Sequence, residues 1–168
     1  MRAYTRKAGG FTLVELIVVI LLVAILSAYA ASRFIGVSSF SAFAAQEQAI
    51  SIIRQIQVSR MQSNLSDTAL SAVADADNYF TLAITASCLG SVSACSAAND
   101  DSRSDVLRGN NLSFSSFVTL TNQRVQFNLL GNPQGNAAAG VTVTISAPDS
   151  TASVCINAQG YVARGACL

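Results

Sequence analysis

This chain of 168 residues contains four cysteines, whose side chains could form disulfides or bind a metal. Cys88, Cys95, Cys155 and Cys167 form an even set, and four cysteines allow three disulfide pairings. Zinc binding is the rival use, but neither spacing is C-x2-C, and no histidine is present as a further ligand. Because short loops close readily, we favour Cys88 with Cys95 and Cys155 with Cys167, each contributing about 2 to 3 kcal/mol.

The absence of histidine excludes Ser-His-Asp and Cys-His catalysis, together with histidine-ligated zinc. No G-x-S-x-G motif occurs either, so nothing supports a serine nucleophile. Two acidic clusters remain, and neither contains the later glycine and glutamate of an EF-hand loop. Their members are Asp75, Asp77 and Asn78 in one cluster, and Asp100, Asp101 and Asp105 in the other. We therefore predict no enzyme activity, no metal site and no cofactor.

The arginines of the second half are dispersed along the sequence. Arg103, Arg108, Arg124 and Arg164 show no clustering, and scattered charges of this kind are typical of a solvated surface. After the first ten residues the chain carries seven basic and nine acidic side chains. The sequence therefore does not predict a nucleic-acid partner.

One glutamate is the sole charge in a long apolar segment. Hydrophobic residues make up 51% of the chain and charged residues 11%, and the excess is concentrated from Phe11 to Ala31. About 20 helical residues span a bilayer core, so residues 11–31 form a predicted transmembrane segment. Arg2, Arg6 and Lys7 precede it, and the positive-inside rule then keeps the N-terminus in the cytoplasm and exports the rest. The cysteines would lie on the exported side, where disulfides form.

This segment has two simpler interpretations, a cleaved signal peptide and a plain signal anchor. Ala28-Tyr29-Ala30 fits the small-residue pattern of a signal-peptidase site. Neither interpretation explains Glu15, because a carboxylate within a membrane helix costs about 3 kcal/mol and usually marks a function.

The residues around this glutamate resemble the N-terminal signature of type IV prepilins and the related pseudopilins. The matching run is Gly9-Gly10-Phe11-Thr12-Leu13-Val14-Glu15-Leu16. The resemblance implies that prepilin peptidase cuts after Gly10 and methylates the new N-terminal Phe11. It also implies that Glu15 pairs with the N-terminal ammonium of a neighbouring subunit in a filament, where opposite charges at about 4 Å attract by roughly 4 kcal/mol. The chain would first span the inner membrane with a periplasmic head, and would then join an extracellular pilus.

A second resemblance covers the last third of the chain. Turn residues and strand spacing there are similar to minor pilins of mannose-sensitive haemagglutinin type pili and to minor pseudopilins of type II secretion. The runs concerned are Val125 to Pro133 and Val154 to Tyr161. This resemblance favours a minor pilin that joins or primes a type IV pilus. The alternatives are a type II secretion pseudopilin and a membrane-anchored module that binds DNA or a surface.

The elements that must position these residues are a long helix and a sheet, in an α+β, pilin-like arrangement. Residues 1–10 would be the leader, 11–63 one long helix and 64–168 a β-rich head packed on the second half of that helix. An apolar stripe on the helix has helical spacing, formed by Ala45, Ala49, Ile52, Ile53 and Ile56. Gln46, Glu47, Arg54, Gln55, Gln57 and Arg60 are expected to lie mostly off that stripe.

The head is predicted to contain an antiparallel sheet of at least four strands separated by turns rich in glycine and asparagine. The candidate strands are Tyr79 to Thr85, Leu112 to Leu120, Arg124 to Leu130, Val141 to Ser146, Ser153 to Asn157 and Tyr161 to Arg164. Many pilins carry a proline about twenty residues into the mature chain, but here that region reads Ala31-Ser32-Arg33-Phe34-Ile35-Gly36.

Overall fold

The computed structural model describes residues 11–38, 41–66, 76–97, 102–109 and 111–167. The chain divides into two compact units, Met1–Val37 and Ser38–Leu168. It has an α+β fold, with an apolar N-terminal helix followed by a region of antiparallel strands. The predicted leader at residues 1–10 lies outside the described residues.

The first unit contains the helix α1, Leu13–Ser38. Its stretch Leu13–Ala30 is long and apolar enough to cross a membrane, and every side chain from Phe11 to Ala30 is exposed within the chain. A helix that is apolar on all sides is stable only where something apolar surrounds it. This property fits membrane anchoring.

The second unit begins with α2, Ser41–Gln62, which ends where the sequence predicted a helix end. The predicted apolar stripe is buried, as are Ala42 and Ile50 on the same helix. Residues 39 and 40 lie outside the described residues, so the continuity of α1 and α2 as one helix stays a prediction. Gly36 lies inside α1 and does not end it.

Two four-stranded antiparallel sheets pack with α2 in this unit, where the sequence predicted a single sheet. The first has the order β3-β2-β1-β5, and the second has the order β4-β6-β7-β8. The strands are β1 Leu82–Thr85, β2 Cys88–Ser91, β3 Val106–Leu107, β4 Ser113–Ser116, β5 Arg124–Val125, β6 Gly140–Ala147, β7 Ser150–Asn157 and β8 Val162–Arg164. The described residues of this unit also include two short helices, α3 Ala76–Phe80 and α4 Val92–Ser96.

The hydrophobic core joins α2 to both sheets. Ile53 and Ile56 of α2 pack with Leu82 and Leu89 of the first sheet and with Val143 of the second, all nearly inaccessible to solvent. Alternate residues of β6 point into this core, as expected for a strand with one face buried. The two sheets therefore share one core.

Several strand predictions were wrong in their boundaries. Tyr79 and Phe80 end the helix α3, and β1 begins at Leu82. The predicted strand Leu112 to Leu120 is paired only over Ser113–Ser116. The predicted strand Arg124 to Leu130 is paired over Arg124–Val125, after which Phe127 makes one isolated bridge to Pro133. Neither β2 nor α4 was predicted.

Candidate functional site

The segment Phe11 to Leu16, called here the N-terminal motif segment, contains two of the three predicted N-terminal site residues. Phe11 is 82% exposed and precedes α1. Gly10 lies outside the described residues. Glu15 lies in the first turn of α1, where the positive end of the helix dipole favours a carboxylate.

Thr12 immediately precedes α1 and caps its N-terminus. This cap was not predicted from the sequence. The backbone N–H of Glu15 donates to Thr12 Oγ1 at 3.2 Å, and the backbone N–H of Leu16 donates to the Thr12 carbonyl at 3.2 Å. This is the geometry of an N-cap residue with a glutamate three positions later, the T-x-x-E pattern of a capping box. The pattern was readable in the sequence and could have predicted the helix start.

Glu15 is exposed in the first turn of α1. Within the described residues no cation lies within salt-bridge distance of its carboxylate. The side chains of Leu13, Val14 and Leu16 around it are each at least 60% exposed. The segment thus presents one carboxylate on an apolar surface.

In the second unit, α2 holds the sheets through side-chain donors to backbone carbonyls. Gln46 Nε2 donates to the Ser153 carbonyl at 2.5 Å, and Gln57 Nε2 donates to the carbonyls of Gly131 and Gly160 at 2.9 and 2.8 Å. Buried polar groups need such partners, because an unpaired one costs about 1 to 3 kcal/mol. The expectation that Gln46 and Gln57 lie off the buried face was therefore wrong.

Arg60 also belongs to the side chains of α2 that donate to backbone carbonyls. It is the least expected of them, because its side chain is fully buried. Its Nε donates to the Phe127 carbonyl at 3.0 Å, and its Nη1 donates to Ser63 Oγ at 2.7 Å and the Leu65 carbonyl at 2.9 Å. Arg60 follows Ile56 by four positions and Ile53 by seven, so it continues the apolar stripe. This spacing was the signal in the sequence that could have revealed its burial.

The cysteines form two disulfides, Cys88 with Cys95 and Cys155 with Cys167, which is the pairing favoured from the sequence. The first ties β2 to α4, with its Cα atoms 5.9 Å apart. The second ties β7 to the C-terminal segment, where the backbone N–H of Cys167 also donates to Thr142 Oγ1. Their positions within single folded segments indicate a structural role.

Asp105 holds β3 against the start of α4. Its carboxylate accepts hydrogen bonds from Arg103 at 2.9 and 2.8 Å and from Ser91 Oγ at 2.6 Å. Ser91 Oγ in turn accepts from the backbone N–H of Ala94 as the N-cap of α4. The Arg103 hydrogen bonds, and then that of Ser91, hold the pKa of Asp105 below its usual 3.8, against the opposing effect of its partial burial.

The remaining acidic candidates are not assembled into a metal centre in the part of the chain that the structure describes. Asp75, Asp100 and Asp101 lie outside that part. Among the arginines, Arg103 pairs with Asp105, while Arg108 donates to the carbonyls of Ala94 and Ala97. These two arginines are therefore structural rather than merely solvated. Arg164 makes an exposed ion pair with Glu47 at 2.6 Å.

Comparison with known families gives a match that covers the N-terminal motif segment. Residues 5–31 match the family model of the prokaryotic N-terminal methylation motif. This match supports membership in the type IV prepilin and pseudopilin class, whose members are structural subunits. No curated protein and no solved structure matches the chain significantly. The chain thus carries the methylation motif of a type IV pilin or pseudopilin precursor.

Proposed function

We propose that this chain is the precursor of a minor type IV pilin. In this proposal prepilin peptidase removes residues 1–10 and methylates Phe11, and the subunit then joins a pilus or primes its assembly through α1. The observation that carries the proposal is the methylation motif at residues 5–31, continuous with an apolar α1 that is capped by Thr12 and carries Glu15. The head would be periplasmic before assembly.

Glu15 is proposed to set the register between subunits. Apolar helices slide past each other easily, whereas one carboxylate paired with a terminal ammonium fixes their relative position. The attraction, roughly 4 kcal/mol at 4 Å and an effective dielectric of 20, offsets the cost of about 3 kcal/mol for placing the carboxylate in the membrane. Methylation of the Phe11 nitrogen leaves an ammonium that still carries its charge.

The first experiment measures processing. The chain is produced in membranes with and without active prepilin peptidase, and its intact mass is determined. We expect a product that begins at Phe11 and is heavier by one methyl group only when the peptidase is active. A product that begins at Ala31, or an intact chain under both conditions, would contradict the proposal.

The second experiment separates the charge of Glu15 from the helix cap. Glu15→Gln removes the charge, and Thr12→Val removes the capping hydroxyl but keeps the charge. Both variants should insert and be cleaved normally, while the fraction of Glu15→Gln in sheared filaments should fall about tenfold or more, since 1.4 kcal/mol corresponds to tenfold. Thr12→Val should incorporate at close to the normal level. Normal incorporation of Glu15→Gln would overturn the assigned role.

The minor role and the choice of machine rest on the resemblance of the last third alone. A type II secretion pseudopilin carries the same kind of N-terminal signature, so the two are separated by fractionation. We expect the processed protein in sheared pili at low abundance relative to the major subunit. Recovery only with a secretion complex in the cell envelope would favour the pseudopilin.

A further inference from the structure

A polar pocket of about 260 Å³ lies on the surface of the second unit. It is lined by the side chains of Thr121, Asn122, Arg124, Gln126, Gln134 and Asn136. One wall is a 3-10 turn leading into β5, and the other is the segment before β6. The pocket is smaller than the roughly 300 to 1,000 Å³ of typical drug-sized sites, so it would suit a ligand of about one sugar ring.

The two walls are fixed to each other by hydrogen bonds. The backbone N–H of Gln134 donates to the Gln126 carbonyl at 2.9 Å. Asn136 Nδ2 donates to the Thr119 carbonyl at 3.1 Å and to Thr121 Oγ1 at 3.3 Å. The pocket is therefore formed before any ligand arrives, which lowers the entropic cost of binding.

The rim of the pocket carries backbone strain. Asn122 and Gln123 are consecutive residues with φ of 54° and 58°, in the left-handed region that residues other than glycine rarely adopt. They are the two described non-glycine residues with positive φ. Strain of this kind concentrates at binding and catalytic sites.

Arg124 supplies the charge of the pocket. The other five arginines of the described part of this unit each have an acceptor in the protein: Arg54, Arg60, Arg103, Arg108 and Arg164. Arg124 is exposed, and no acceptor or carboxylate among the described residues engages its guanidinium. A guanidinium with free donors binds a planar carboxylate through two parallel hydrogen bonds.

We propose that this pocket binds an acidic sugar, a hexuronic acid residue held by its carboxylate on Arg124. The Asn122 amide offers both donors and an acceptor, and the amide oxygens of Gln134 and Asn136 offer further acceptors, which match the hydroxyl groups of a pyranose ring. No aromatic side chain among the described residues lines the pocket, so their arrangement offers no stacking surface for a nucleobase. This inference is independent of the N-terminal motif segment and concerns what the head recognises.

The test uses the full chain in detergent micelles and two probes that differ in one group, methyl glucuronide and methyl glucoside. Saturation-transfer NMR titrations give the dissociation constant of each. We expect the glucuronide to bind about tenfold more tightly, which corresponds to one charge-assisted contact. Arg124→Gln should abolish this preference, and Arg124→Lys should retain part of it.

The matched control is Arg164→Gln, which removes an exposed arginine outside the pocket and should leave the preference intact. Equal binding of both probes, or a preference that survives Arg124→Gln, would overturn the proposal. Displacement of the glucuronide by an equal concentration of inorganic phosphate would also overturn it, because the pocket would then be a general anion site. Circular dichroism of each variant verifies folding.

Discussion

A guanidinium removed from solvent must donate its hydrogen bonds to the protein, and Arg60 does so at the end of α2. Its partners include the carbonyls of Phe127 and Leu65, which belong to different segments of the second unit. The residue therefore anchors two segments of the chain beside the end of the helix. Such a buried cation is expensive to lose, because its acceptors stay behind without partners.

Replacement of Arg60 by methionine should lower the free energy of unfolding by about 2 to 4 kcal/mol, since the buried Phe127 carbonyl and the partly buried Leu65 carbonyl lose their donor. The matched control is Arg54→Met on the same helix, where the arginine is exposed and donates to one carbonyl, that of Val162. We expect that change to cost about 1 kcal/mol or less. Urea unfolding in detergent measures both, and equal effects would contradict the structural role of Arg60.

Asp105 should make the free energy of unfolding depend on pH in the acidic range. Its pKa is lowered in the folded chain, so its contribution is complete above the unfolded value near 3.8 and disappears as the pH falls through the lowered folded value. The stability difference between wild type and Asp105→Asn should therefore be constant near neutral pH and shrink below about pH 4. A difference that grows on acidification would contradict this linkage. Asp149→Asn, at an exposed turn, controls for general charge removal.

At the scale of elements, the contact between α2 and the β7–β8 turn depends on two glycines. Gly160 has φ of +78°, and a Cβ there would overlap the Gly131 carbonyl. Gln57 donates to the carbonyls of both glycines. The turn thus lies so close to its neighbouring loop that no side chain fits between them.

Gly160→Ala should therefore destabilise the chain by more than Gly165→Ala. Gly165 also has a positive φ, of +94°, but a Cβ there meets nothing within 4 Å. Both changes bear the backbone penalty of about 1 to 2 kcal/mol, and only Gly160→Ala adds the overlap, which we expect to contribute about 2 kcal/mol more. Thermal unfolding of the two variants gives this difference directly, and equal values would disprove the close approach.

An element could be predicted from the sequence when the residues that define it lie close together in the chain. The strands β6 and β7 and the apolar stripe on α2 depend on residues near in sequence, so they were found. Strand β2, Cys88–Ser91, was missed because its glycine and serine have low strand propensity. The strand is stabilised by pairing with β1 and β3, which the local sequence does not reveal. The polar pocket beside Arg124 was missed because its walls are separate segments brought together only by folding.

At the scale of the whole molecule, the predicted orientation in the membrane would determine whether the cysteines are oxidised to disulfides or stay reduced. Reversal of the charges at Arg2, Arg6 and Lys7 to glutamate should retain part of the head in the cytoplasm, because the positive-inside rule predicts that this flank keeps the N-terminus there. The retained cysteines would stay reduced. Alkylation with a thiol reagent that shifts gel mobility should then detect free thiols that the wild type lacks.

The control for orientation is Arg33→Glu, which changes a charge beyond the apolar stretch and should leave the cysteines oxidised. Fully oxidised cysteines in the triple variant would contradict the predicted orientation. Four reactive thiols in the purified wild type would contradict the disulfides themselves.

The disulfides also determine how the head responds to tension. The two cysteines of one disulfide are seven residues apart in the sequence, and those of the other are twelve residues apart. Neither disulfide joins α2 to a sheet. A pulling force on α2 is therefore resisted by packing and by the bonds from Gln46, Gln57 and Arg60 to carbonyls, none of which is covalent. Reduction of the disulfides should consequently leave the force needed to peel α2 from the sheets nearly unchanged, while making each freed sheet segment more extensible.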